Sequence, residues 1–240
     1  MTETVTALVY VPGDSTVIPP VECIGGKARS LARLAELAPA GEFEVPRFLV
    51  ITTRADGASP ELRRAVEDAC AAAGFGRVPL AVRSSAMVED SAARSYAGLF
   101  ESVLGVRFSP QATDALWEAI AVVWRSASAA RTKVYGDPGG AAPIAVVIQE
   151  MVEPEVSGVA FSIDPVSGRD DISVVSAVLG LGQGLVSGEL DADSHWVAAD
   201  DSVTTRLARK DRALRGVSAG GTAWQAVAEA EAGRPALTDE

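Results

Sequence analysis

Histidine is nearly absent: His195 is the single one in 240 residues. One imidazole cannot build an HExxH motif or a histidine-rich zinc set, and the Ser194-His-Trp-Val197 setting shows no Ser–His–Asp arrangement. That setting reads as a strand with a half-buried structural histidine. Cysteine is almost as scarce. Cys23 and Cys70 form neither a CxxC nor a disulfide framework, so they read as free thiols of a reducing compartment. Basic residues are outnumbered, 21 Lys and Arg against 32 Asp and Glu, and a formal net charge of −11 argues against a nucleic-acid partner. No uncharged apolar run approaches the roughly 18 residues of a membrane span. The first residues also lack the basic start and apolar core of a secretion signal. The expectation is a cytoplasmic protein with no membrane association.

What is present fits a folded protein: 48% hydrophobic and 22% charged residues, enough to bury one large core or two modest ones. A short strand is expected over residues 6–12. A helix over 28–37 follows from Leu31, Leu34, Ala35 and Ala38 on one face, ended by Pro39. Residues 45–52 read as an apolar strand with Pro46 at its start. Ser59-Pro60-Glu61 signals a capped helix running to about residue 73. Further strands are expected over 79–83 and 99–106. Ser109-Pro110 repeats the cap signal before a long helix whose buried face is Leu116, Ala119, Ile120, Val123, Trp124 and Ala127, with Trp117 nearer a lobe boundary. Strands follow over 144–151 and 158–163, then from Ile172 and Ser194, with a helical tail at 222–232. This mixture, without strict βαβ alternation, reads as α+β with antiparallel sheet in the second half. The glycine-rich Gly136–Gly140 stretch suggests two lobes, about 1–135 and 141–240, with a ligand cleft between them.

Leu80-Ala-Val-Arg-Ser-Ser-Ala-Met-Val-Glu-Asp90, taken with Ser95-Tyr-Ala-Gly98, is the most informative stretch. An apolar run ends on Arg83 and opens into serines, acids and a glycine. The Arg83 fork suits phosphate oxygens, Ser84 and Ser85 add hydroxyls and N–H groups, and Gly98 lets backbone approach a ligand. An ordinary strand with a polar loop would use the same residues. Gly25-Gly26-Lys27 before a helix places a cation at a positive helix end, although Val21 and Ala28 exclude a Walker A loop. Val146-Val-Ile-Gln-Glu-Met-Val152 ends a strand whose backbone at Glu150–Val152 suits an adenine edge, with Met151 over its face. Val156-Ser-Gly-Val-Ala-Phe-Ser-Ile-Asp-Pro165 ends on Asp164, a residue suited to lie near a metal. Gly180-Leu-Gly-Gln-Gly-Leu-Val-Ser-Gly188 is too glycine-dense for a regular strand and fails GxGxxG spacing at Leu185. On a strand, Glu189, Asp191 and Asp193 would share one face and suit Mg²⁺; a solvated acidic turn explains them equally well.

Together, and in this order, these segments resemble the N-terminal ATP-binding domain of the phosphoenolpyruvate synthase and pyruvate phosphate dikinase family, over residues 20 to 200. The resemblance implies an ATP-grasp-type fold holding ATP and Mg²⁺ between two lobes. It gives Lys27 and Arg83 the catalytic phosphate contacts, with Ser84 beside them and Gly98 in a closing loop. Gln149, Glu150, Met151 and Val152 would hold adenine, and Gln183 would contact phosphate or ribose. Asp164, Glu189 and Asp193 are the expected metal ligands. Family members often carry glutamate where this chain has Gln183, a poorer metal ligand. The carrier-histidine and acceptor-binding domains of the full enzymes have no counterpart here, and Pro235–Glu240 reads as the start of a further helix. The expected activity is phosphoryl transfer from ATP to a carrier histidine on another domain, then to pyruvate or another acceptor. A rifampin-type antibiotic phosphotransferase shares the ATP domain, and a non-catalytic nucleotide-binding module fits the truncation and Gln183.

Overall fold

The run Ala145-Val-Val-Ile-Gln149 is apolar without alternation, the pattern of a strand covered on both faces. The computed structural model describes residues 7–14, 17–41, 43–55, 57–86, 101–135 and 144–237, the side chains of 127–135 excepted. The first unit, Met1–Val152, contains β1 (Val9–Tyr10), α1 (Val21–Leu37), β2 (Phe48–Ile51), α2 (Pro60–Ala72), β3 (Leu80–Ser85), β4 (Ser102–Val106), α3 (Asp114–Tyr135) and β5 (Ala145–Glu150). Its sheet has the order β1-β2-β5-β3-β4, every ladder antiparallel. β5 sits in the middle. Val146 and Ile148 face a core built with Leu62, Val66 and Cys70 of α2 and Leu116, Ile120 and Val123 of α3. Ala145 and Val147 face a second core with Ile24, Ala28 and Ala32 of α1. Burial raises the Cys70 thiol to about 12, with the nearby Glu67 charge adding to it, so the thiolate is strongly disfavoured.

The second unit, Glu153–Glu240, contains β6 (Val156–Phe161), β7 (Ile172–Leu179), α4 (Gln183–Val186), β8 (Asp193–Ala198), β9 (Val203–Arg206), β10 (Arg212–Gly216), β11 (Thr222–Ala226) and α5 (Glu229–Ala232). β6 to β9 form an antiparallel meander and β10–β11 a separate hairpin. The α+β class and the antiparallel second half agree with the sequence. Among the described residues no helix is long and apolar enough to cross a membrane.

Several boundaries differ from expectation, each for a physical reason. The division falls after Val152 rather than near residues 135–141, because β5 pairs with both β2 and β3 inside the first sheet. Residues 222–226 are a strand, not a helical tail. Gly220 and Gly221 both adopt positive φ and turn the chain back, so Trp224 pairs with Leu214, and helix appears only at Glu229–Ala232. Trp117 is a core residue, its indole N–H donating to Glu67 Oε1 at 3.0 Å. Ser109 closes a turn with Ala112 instead of capping α3. Ser59 caps α2 as expected, its Oγ accepting the Leu62 N–H at 3.2 Å.

Candidate functional site

Glycine is required where α1 meets the end of β3. Gly25 has φ 74° and ψ 169°, which breaks α1 into a first turn and a helix that restarts at Gly26. A Cβ at Gly25 would lie 2.1 Å from the Ser85 carbonyl oxygen. Three further bonds join the segments. The Gly26 N–H donates to Ala86 O at 2.9 Å, the Ala28 N–H to Ser85 Oγ at 3.0 Å, and Lys27 Nζ to Ser84 O at 2.9 Å. Two N–H groups that the sequence offered to an anion are therefore engaged by the strand end. Ser84 and Ser85 themselves belong to β3 and not to a loop, and both are buried.

Directly opposed residues of antiparallel strands share a face. Arg83 opposes Val147 and Ser85 opposes Ala145, so Arg83 and Ser85 lie on the α1 face together with Lys27. Ser84 opposes Val146, which puts its side chain on the other face and leaves its carbonyl to hold Lys27. Two cations thus share one face at the end of β3, a suitable field for phosphate oxygens. Gly98, with Glu89, Asp90 and the Ser95-Tyr-Ala stretch, lies outside the described residues.

The end of β5 is more engaged than the sequence suggested. Gln149 is buried, and its Nε2 donates to Pro46 O at 3.3 Å. The Glu150 N–H donates to Arg47 O at 2.8 Å and the Met151 N–H to Pro79 O at 2.9 Å. The Met151 side chain is buried in the first unit, its sulfur accepting the Gly105 N–H at 3.2 Å, and so does not offer a face to a base. Val152 is 55% exposed. Among the described residues, no hydrogen bond engages the Glu150 C=O or the Val152 N–H, an acceptor and a donor two residues apart. Glu150 Oε2 also accepts from Arg47 Nε at 2.8 Å.

In the second unit the glycine-rich segment needs its glycines. Gly180 and Gly188 adopt positive φ, and a Cβ at Gly180 would lie 2.4 Å from Leu214 O. Gln183 opens α4 with an exposed side chain. The expected metal ligands do not converge. Asp164 closes the β6–β7 turn, accepting from the Ser167 hydroxyl and the Val166 N–H, and these bonds hold its carboxyl below the usual range. Glu189 accepts from Ser187 Oγ at 2.8 Å. Glu189 and Asp191 precede β8, so the expected alternation on one strand face does not form.

Asp193 is fully buried and paired with Lys210, itself 3% exposed, whose Nζ lies 2.7 and 2.9 Å from the two carboxylate oxygens. Ala208 and Ala236 donate their N–H groups to the same carboxylate at 2.8 and 2.7 Å. Burial opposes ionisation, yet the Lys210 and backbone bonds outweigh it and hold the carboxyl below its ordinary value. Asp193 is thus a fold-holding ion pair with its oxygens occupied. Among the described residues no group of three or more His, Cys, Asp or Glu is placed to hold a metal ion. Asp164, Glu189 and Asp193 do not fit Mg²⁺.

Sequence reading missed Lys210 and Arg47, the partners of Asp193 and Glu150. Neither sits in a motif, and only pairing across 17 and 103 residues reveals them.

These features stand inside a recognised domain type. The chain belongs to the pyruvate phosphate dikinase AMP/ATP-binding domain family, whose model matches residues 56–240. A rifampicin phosphotransferase from a Streptomyces species is 36% identical over 208 residues, covering 83% of this chain and 24% of the relative. A phosphoenolpyruvate synthase from Aeropyrum pernix is 35% identical over 161 residues, 65% of this chain and 20% of the relative. The prodigiosin synthesizing transferase PigC of Serratia marcescens is 35% identical over 215 residues, 79% and 23%. The chain therefore spans less than a quarter of the length of each of these relatives.

Proposed function

We propose that this chain is the ATP-binding part of a cytoplasmic, dikinase-type phosphotransferase with an ATP-grasp fold. A phosphoryl group passes from ATP to a histidine nitrogen on another domain, then to pyruvate or another acceptor. The observation that carries this reading is the pairing of Lys27 and Arg83 on one sheet face, held by the Gly25–Ser85 junction, in a chain of the AMP/ATP-binding family. Phosphoryl transfer needs little covalent chemistry from the protein. Positioning and charge neutralisation supply most of it, and two fixed cations provide both. The Arg83 fork orients phosphate oxygens and Lys27 acts as a point charge. At the end of β5, the Glu150 C=O and Val152 N–H match the donor and acceptor of an adenine edge. No step is assigned to Mg²⁺, since the residues expected to hold it do not fit.

An antibiotic-directed acceptor is the second reading, favoured by the rifampicin phosphotransferase match over 83% of the chain against 65% for the synthase. The test uses the full-length parent protein with labelled ATP. An acid-labile, base-stable label is expected, discharged by pyruvate in the first reading and by rifampicin in the second. ATP turnover with no phosphohistidine would contradict both.

A further inference from the structure

Arg47 is gripped from several sides. Its Nε donates to Glu150 Oε2 at 2.8 Å, and its Nη1 donates to the Ala73 carbonyl at the end of α2. Its guanidinium carbon lies 5.9 Å from the ring centroid of Phe75, a fully buried core residue. Its own carbonyl accepts the Glu150 N–H at 2.8 Å. One residue therefore holds both the main chain and the side chain of Glu150. Beyond Met151, whose N–H is tied to Pro79 O, the sheet ladder ends and Val152 is exposed. The Glu150 C=O and Val152 N–H are the last groups whose positions this network sets. Exposed ion pairs usually contribute little, but this one is a single contact of a side chain anchored at three points.

We propose that Arg47 is a positioning residue for base recognition: through the Glu150 carboxylate it orients the Glu150 C=O and Val152 N–H toward the six-position edge of a purine. The inference rests on the reading that the base lies along residues 149–152, and it adds which residue makes that edge selective. Adenine offers an amine at position six and an acceptor at N1, complementary to this carbonyl and N–H. Inosine offers an oxo group and an N1–H, so both bonds become mismatches. A site built for hydrogen bonding rejects an analogue that leaves its groups unpaired.

The test is calorimetric titration of ATP and of inosine triphosphate into the 240-residue chain, as wild type, Arg47→Ala and Arg47→Lys, with unfolding curves for each. Wild type is expected to prefer ATP by about tenfold or more. In Arg47→Ala the ATP affinity falls while that for inosine triphosphate barely moves, so the preference collapses toward one. Arg47→Lys, which keeps the charge but loses the fork, retains part of it and serves if the alanine variant folds poorly. Parallel loss of both affinities with an unchanged ratio would reduce Arg47 to a structural role and overturn the proposal. Equal binding of both nucleotides by wild type would overturn it while leaving ATP binding intact. Absence of ATP binding by folded wild type would remove the underlying reading as well.

Discussion

Gly25→Ala is expected to lower the unfolding free energy of the first unit by about 3–5 kcal/mol. Two costs combine at this position. A non-glycine residue at φ 74° carries backbone strain of about 1–3 kcal/mol. The new Cβ would also sit 2.1 Å from the Ser85 carbonyl oxygen and 2.4 Å from its Oγ, so the junction between α1 and β3 must open. Opening it disturbs the Gly26–Ala86, Ala28–Ser85 and Lys27–Ser84 bonds together. Gly57 is the internal control: its φ is 70°, but among the described residues nothing lies within 4 Å of its Cβ position. Gly57→Ala should show only the strain, about 1–2 kcal/mol. Urea unfolding of both variants checks this. Equal losses would mean that the close approach at Ser85 contributes nothing.

Breaking the buried pair of the second unit has a comparable effect. Lys210→Met leaves Asp193 charged and unpaired in a site closed to water, and loss of about 3–5 kcal/mol is expected. The pair need not be net stabilising against an apolar replacement; the cost lies in leaving one partner alone. Asp193→Asn should also be costly, because an amide nitrogen faces donors from Lys210, Ala208 and Ala236. The pH dependence has a defined sign. The folded carboxyl is depressed below its ordinary value of 3.8, so its contribution is fully present above that value and is lost as pH falls through the lower folded one. Urea unfolding at pH 5 and pH 3 should show a steeper acid loss in wild type than in Asp193→Asn. Identical acid limbs would contradict the assignment.

Short-range signals were legible in the sequence and long-range partnerships were not. The Ser59-Pro60-Glu61 start of α2 and the apolar run of β5 were readable because propensity and burial agreed along one segment. The special dihedrals of Gly180 and Gly188 followed from glycine density alone. Asp193 looked like a metal ligand because its acidic neighbours are adjacent in sequence, whereas its partner lies at Lys210. Met151 looked free to cover a base, but β4 passes beside it and engages its sulfur. The hairpin at residues 212–226 depends on Gly220 and Gly221, whose positive φ turns the chain so that two short strands pair. How the Gly25-Gly-Lys27 and Arg83 segments meet was not legible either: the Gly25 break seats Lys27 on the strand that carries Arg83.

We propose that Lys27 and Arg83 hold the ATP phosphates. Calorimetric titration of ATP into the chain, beside Lys27→Ala and Arg83→Ala with their unfolding curves, tests it most directly. A charge-assisted phosphate contact contributes about 1.5–3 kcal/mol, so each variant should weaken ATP binding by about 10- to 100-fold while remaining folded. Unchanged ATP affinity in both folded variants would contradict the account.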